Sequence, residues 1–318
     1  MKTCLHCILT TAGATLLLSF LAAPVRAAIL YVSNSHDSTI EKITSAGVRS
    51  VFASDDVAAP FGLAFDSAGN LYAPDANFNT IVKFTPDGVA SIFASTGLNN
   101  PRGLAFDSAG NLYVSNIGNN TIEKFTPSGA ASVFASTGLS APWGLAFDSA
   151  GNLYAANDGN HTIRKFTPGG IGSVFADAAD GLFDPIGLAF DSAGNLYVSN
   201  IGNVRIVKFT PGGVGSVFNS NSSLLNAPFG LAFDSEGYLY AADPGNDTIE
   251  KFAPNGVGSV FADIGSDKNP GFLAFTNDAG VPLPLPNQPP IPEPATWALL
   301  GLGLPALLGL SRPCRRRG

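Results

Sequence analysis

The sequence predicts an all-β fold, a six-bladed β-propeller of four-stranded antiparallel blades. Three observations predict it. The stretch GLAFDSAGNLYVSN at 103–116 returns almost letter for letter at 62–75, 144–157, 187–200 and 230–243, with fragments of it near both ends. The leucine of its LAF triplet falls at 63, 104, 145, 188, 231 and 273, intervals of 41 to 43 residues, and a strand-rich repeat of that length means one supersecondary unit stacked many times. Finally, the two ends are complementary. The repeat region opens with second, third and fourth strands at 29–33, 39–43 and 49–53 and finishes with a lone first strand at 272–276. Pairing those ends closes a ring of six, which removes the free sheet edge that invites aggregation.

In chain order, residues 1–27 read as a secretory signal peptide. Lys2 supplies the positive start, 16–23 the apolar run, and Val25-Arg26-Ala27 a small-residue cleavage site. Residues 28–280 form the propeller. Its second full unit shows the four runs of a blade: 103–107, 112–115, 121–126 and 131–135, joined by DSAG-type and Pro-containing turns that place neighbours antiparallel. GLAF and LYV are apolar throughout, as expected where a blade is sandwiched between two others. Residues 281–291 are a Pro-rich linker. It begins VPLPLP, which cannot join a ladder and reads as an extended, semi-rigid spacer. Residues 292–318 stand apart: Pro292-Glu293-Pro294, an uncharged apolar run at 295–310, then Arg312, Arg315, Arg316 and Arg317.

Charge and cysteine bound the function. Without the terminal segments, the body keeps 11 basic and 23 acidic residues, a net charge of −12. So acidic a surface repels phosphate backbones and disfavours nucleic-acid binding. Cys4, Cys7 and Cys314 all lie in the terminal segments, so packing and strand pairing rather than disulfides must hold the body.

Two family resemblances follow from these motifs. P-x-GLAFDSxGNLYVxN-x-GN-x-TIxKF, recurring from residue 30 to 275, resembles the NHL repeat, whose domains are six-bladed propellers. The PEP tripeptide, apolar run and arginine cluster resemble a PEP-CTERM sorting signal. That resemblance implies export in a Gram-negative bacterium, transient anchoring in the inner membrane, recognition by an exosortase-type processing enzyme, and delivery to the cell surface or biofilm matrix. Pro292, Glu293, Pro294, Arg315, Arg316 and Arg317 would be its recognition elements. Sixteen apolar residues would span roughly 24 Å as a helix at 1.5 Å per residue, a short transmembrane crossing, with the arginines holding the tail on the cytoplasmic side.

Several repeated polar sets are weighed against their structural roles. Asp66, Asp107, Asp148, Asp191 and Asp234 each begin a D-S-x-G turn, where Asp bonds its own backbone and Gly takes the left-handed φ; this is turn chemistry. Lys42, Lys83, Lys124, Lys165, Lys208 and Lys251 recur once per third strand and read as a solvated ladder paired to nearby acids, with a sugar- or phosphate-binding belt as the alternative. Asn34, Asp75, Asn116, Asn157, Asn200 and Asp243 close the second strand as caps. The 243–247 loop, DPGND, could offer Ca²⁺ some oxygens but lacks a full cage; no cofactor is otherwise expected.

The informative contrast is between the two faces of the wheel. First-to-second and third-to-fourth turns are nearly invariant. Blade-to-blade loops diverge, and function lives on such variable loops. On that variable face, the residue before each GLAF is Phe61, Arg102, Trp143, Ile186 or Phe229, with Phe272 near the sixth equivalent in swapped order. These six should lie at the channel mouth, either as an aromatic platform with one Arg for stacking on a sugar or capturing an anionic group, or as a hydrophobic plug. The expected function is a non-enzymatic, surface or matrix binding module for a polysaccharide or protein ligand. The alternative is a metal-dependent lactonase or lyase, since some six-bladed relatives of the gluconolactonase-like and streptogramin-lyase-like kind hold a divalent metal or use His as acid/base. Against it, His36 and His161 are the only histidines of the body, both on second-to-third turns. No catalytic residue is assigned.

Overall fold

The computed structural model describes residues 28–219 and 223–277. These residues form six four-stranded antiparallel sheets. Blade one is built from Ala64–Phe65, Leu71–Asp75, Thr80–Phe84 and Ala90–Ala94. Blade two uses Pro101–Phe106, Leu112–Asn116, Thr121–Phe125 and Ala131–Ala135, and blades three, four and five repeat the pattern with inner strands Pro142–Phe147, Pro185–Phe190 and Leu231–Phe233. The sixth blade is composite: its order is Pro270–Asn277, Ala28–Asn34, Thr39–Ile43, Arg49–Ala53. Tyr31 pairs with Ala274, Val32 with Leu273 and Ala28 with Asn277, so head and tail share one ladder.

In blades two, three, four and six the inner strand begins earlier than the apolar pattern suggests. In blade two the strand starts at Pro101 rather than Gly103, with Pro101 opposite Asn116 and a register shift before Leu104. Proline has no N–H to donate, and it tolerates this place because it enters at the end of the strand beside a bulge.

The core lies between blades. The Tyr of each LYV or LYA stands edge-on between two Phe rings. Tyr72 meets Phe93 of its own blade and Phe106 of the next, both at 5.0 Å between centroids. The same pair of contacts seals the composite blade: Tyr240 meets Phe275 at 4.9 Å and Tyr31 meets Phe65 at 5.0 Å. Edge-to-face pairs are each worth about 0.5–1.5 kcal/mol beyond area burial, and the seam lacks none of them. Second strands are buried throughout. Outer strands instead expose Val51, Ile92, Val133, Val174, Val217 and Val260, because they form the rim and have no neighbouring blade to cover them.

Near the axis the six inner strands crowd one another. A Cβ on Gly103 would lie 2.2 Å from the Trp143 carbonyl oxygen, and one on Gly187 2.1 Å from that of Phe229. The Gly of each GLAF is therefore required by close backbone approach. The signal peptide, the 281–291 linker and the sorting segment all lie outside the described residues. Among the described residues, no helix is long and apolar enough to cross a membrane.

Candidate functional site

The turn aspartates are consumed by structure, as their spacing suggests. Asp66 Oδ1 accepts from the Ala68 and Asn70 N–H groups, both at 2.9 Å, while its Oδ2 accepts from Asn70 Nδ2 at 2.8 Å and the Tyr72 hydroxyl at 3.1 Å. Asp107, Asp148 and Asp191 repeat this set. Lys83, Lys124, Lys165, Lys208 and Lys251 reach the same aspartates at 3.5–3.9 Å, each ammonium also lying about 5 Å over a Tyr ring. Lys42 is the exception. The composite blade has no first-to-second turn, so Lys42 sits 4.4 Å over Phe52, and burial lowers its pKa.

The caps at the ends of the second strands hold the variable loops. Asn116 Oδ1 accepts from Asn99 N–H at 3.1 Å, and its Nδ2 donates to Gly97 O and Thr121 Oγ1. Asp243 accepts from Asn226 and Ala227 N–H groups at 2.8 and 2.7 Å, and Asp247 from those of Asp267 and Asn269. The carboxylates of the 243–247 loop are thus already engaged by backbone.

A catalytic divalent metal would need convergent ligands. His36 and His161 belong to opposite blades. His161 Nδ1 accepts from the Asp184 N–H at 3.1 Å, and its ring stacks on Phe183 at 4.7 Å. Among the described residues, no three His, Cys, Asp or Glu side chains gather into a metal-holding group.

The residues expected at the channel mouth do meet, but in an alternating way. Phe61, Trp143 and Phe229, from blades one, three and five, touch edge to face, Phe61–Trp143 at 5.4 Å and Trp143–Phe229 at 5.5 Å. Arg102 of blade two lies over this cluster, its guanidinium carbon 4.0 Å from the Phe61 centroid and 5.0 Å from that of Trp143. Ile186 is buried beside them. Phe272, in the swapped Gly271-Phe272 order, extends the cluster by meeting Phe229 edge to face at 6.5 Å, and it also borders the axial cavity.

Arg102 is the unusual group. Its Nε and Nη1 are buried without a hydrogen-bond partner, and burial lowers its pKa to about 10. It remains charged at neutral pH, held by the faces of two aromatic rings rather than by a carboxylate.

The backbone beneath these residues explains the alternation. The Ser115 hydroxyl accepts from its own blade's Gly103 N–H at 2.8 Å and donates to the next blade's Trp143 carbonyl at 2.6 Å. Ser33 does the same for Phe272 N–H and Phe61 O, and Ser199 for Gly187 N–H and Phe229 O. The intervening second strands carry Pro74, Ala156 and Ala242 at this position. There Gly62 and Gly230 N–H groups donate directly across to Arg102 and Gly271 carbonyls at 2.9 Å. The serine–alanine alternation is visible in LYVSN against LYAPD, LYAAN and LYAAD, yet it was the geometry that revealed its use.

Among the described residues Glu250 is a buried acid with an ion pair to no base and one oxygen unbonded. Glu250, on a third strand, is fully buried. It accepts from the Thr248 hydroxyl through Oε1, and its Oε2 has no hydrogen-bond partner. Its equivalent Glu41 instead pairs with Arg49 at 2.9 Å. Burial, the larger cause, and the Asp243 charge push the Glu250 pKa up to about 8. The folded state then binds a proton that the unfolded chain has released, so this group favours folding fully below pH ~4.5 and loses that contribution as pH rises toward 8. Glu250→Gln should flatten the fall in stability between pH 5 and 8, and at pH 8 it should raise stability by on the order of a few kcal/mol. Urea unfolding of both proteins across that range is the measurement; parallel curves would contradict it.

The virginiamycin B lyase family model matches residues 12–277. No curated protein matches the chain. Among solved structures, a chain of the nidogen/laminin complex superposes with a TM-score of 0.70 at 22% identity, covering 78% of this chain and 98% of that one. Virginiamycin B lyase from Staphylococcus aureus gives 0.60 at 16% identity over 80% and 92% of the two chains. A gluconolactonase from Xanthomonas campestris gives 0.59 at 20% identity over 69% and 82%.

Proposed function

This chain belongs to the virginiamycin B lyase family, and we propose that it serves as an exported, cell-surface or matrix binding module for a polysaccharide. The observation that carries this reading is the half-buried stack of Arg102 across Phe61 and Trp143, a cation held by aromatic faces on the variable side. Flat rings stack on sugar faces, and guanidinium donors suit sugar oxygens. The loops around the cluster are the variable ones, pinned by buried Asx caps. That is the arrangement of a fixed scaffold with a changeable rim.

In this reading the signal peptide directs export, the 295–310 segment holds the chain transiently in the inner membrane, and an exosortase-type enzyme cleaves near Pro292-Glu293-Pro294. Glycan-array binding should then fall at least tenfold in both Arg102→Ala and Trp143→Ala, a loss of about 1.4 kcal/mol or more. A signal unchanged in both variants would remove the site. A second reading, a metal-dependent lyase or lactonase, is favoured by the family match. Calorimetry with Ca²⁺ and Mg²⁺, combined with a lactone hydrolysis screen, separates the two: the module gives no turnover, the enzyme gives turnover that a chelator abolishes.

A further inference from the structure

The composite blade keeps two of the side chains that the other blades combine at their first-to-second turns, and it lacks the carboxylate that joins them. In blades one to four the turn aspartate accepts from a tyrosine hydroxyl at 3.1–3.3 Å. In blades one to five it faces a third-strand lysine at 3.5–3.9 Å. Tyr31 and Lys42 are the matching pair of the sixth blade, opposite one another across the second and third strands as Tyr113 and Lys124 are in blade two. The register fixes what replaces the turn residues. Phe275 lies opposite Leu30 as Phe106 lies opposite Leu112. Thr276 therefore falls where Asp107 does, and Ile29 where Asn111 does.

The polar groups that remain are arranged for an anion. Lys42 lies 5.4 Å over Tyr31, within the 5.0–5.5 Å of its counterparts, but it makes no ion pair and leans onto Phe52 at 4.4 Å. Burial lowers its pKa, opposed by the charge of Asp87 on the third-to-fourth turn of blade one; the pKa values of Lys124, Lys165 and Lys208 are raised instead. Thr276 is fully buried, and its Oγ1 has no hydrogen-bond partner although it sits beside the Tyr31 hydroxyl. A buried hydroxyl left unpaired carries a desolvation cost, and a charge-assisted bond to an anion would remove it. We propose that Tyr31, Lys42 and Thr276 form a carboxylate-binding site on the constant face, at the seam between the two chain ends. The two hydroxyls donate to the carboxylate and the Lys42 ammonium balances its charge, as Tyr113 and Lys124 do for Asp107. The carboxylate comes either from Asp278, two residues beyond Thr276 and outside the described residues, or from a free acid. Neither Arg102 nor Trp143 takes part, so the site stands apart from the saccharide reading.

The test follows the Lys42 Cε resonance of the signal-cleaved full chain by NMR at pH 7, assigned with Lys42→Met, as acetate replaces chloride at constant ionic strength. If a free acid is the ligand, the signal should move saturably with acetate. If Asp278 is the ligand, the parent should not respond, and Asp278→Asn should both shift the signal and make it sensitive to acetate. In whichever protein responds, Tyr31→Phe and Thr276→Val, which keep the ring and the volume, should each weaken acetate binding at least threefold. Thr276→Asp supplies the carboxylate within the blade and should abolish the response. A Lys42 signal indifferent to acetate in both the parent and Asp278→Asn would overturn the proposal. So would a response that Tyr31→Phe and Thr276→Val leave unchanged, the behaviour of a surface lysine meeting bulk anions.

Discussion

Deletion of residues 270–280 is expected to abolish the cooperative unfolding of the whole propeller, not of one blade. The deletion removes the inner strand of the composite sheet. With it go Leu273 and Phe275, which pack with Leu30, Val32 and Tyr240 in a single cluster, and the ladder that joins residues 28–34 to the rest of the ring. A ring differs from an open stack in that one lost strand exposes two blade faces at once. The loss should exceed about 5 kcal/mol, comparable to the total stability of many domains. The measurement is urea unfolding followed by near- and far-ultraviolet circular dichroism. A milder probe, Phe275→Ala, removes a ring that is 8% exposed and should cost about 3–5 kcal/mol while preserving a single transition. A deletion variant that unfolds as sharply and at as much urea as the parent would mean that the seam does not hold the wheel together.

Gly187→Ala is the second large effect. The added methyl would stand 2.1 Å from the Phe229 carbonyl oxygen and 2.9 Å from the Ser199 hydroxyl. The first of these is backbone, in the next blade, and it already accepts from Ser199. Relief requires two inner strands to move apart at the axis, where all six meet, so the cost should be about 3 kcal/mol. Gly169→Ala is the matched control: its nearest neighbour would be the Thr167 hydroxyl at an ordinary 3.9 Å. It should be neutral or slightly stabilising through the unfolded chain. Thermal unfolding of the two variants side by side decides the matter; equal melting temperatures would show that the axial glycines are not set by close approach.

The same two positions show which parts of the site could be read from sequence. The turn aspartates, the lysines of the third strands and the Asx caps were legible because their partners lie two to twenty residues away in a repeated local frame. Asp107, Asn111 and Tyr113 would make the same turn in any blade. Lys42 follows the lysine pattern in sequence but has no turn aspartate in its own blade, because that turn was replaced by the seam between the two chain ends. The sequence suggests a ring of six, whereas the structure resolves it into three aromatics from alternate blades, an arginine laid over two of them, a buried Ile186, and Phe272 set edge to face on Phe229.

Sequence alone determined the number of blades, the order of strands within them and the joining of head to tail. Each of these follows from short-range chemistry repeated six times: apolar triplets, Gly and Pro turns, and a count of strands at the two ends. Only the tertiary structure decided which aromatic rings meet on the variable face and where a charged guanidinium comes to rest. Those outcomes depend on how far each blade is rotated about the axis and on which side chains, some forty to eighty residues apart, reach it first. No local pattern records that rotation, since it is set by packing of whole blades against one another.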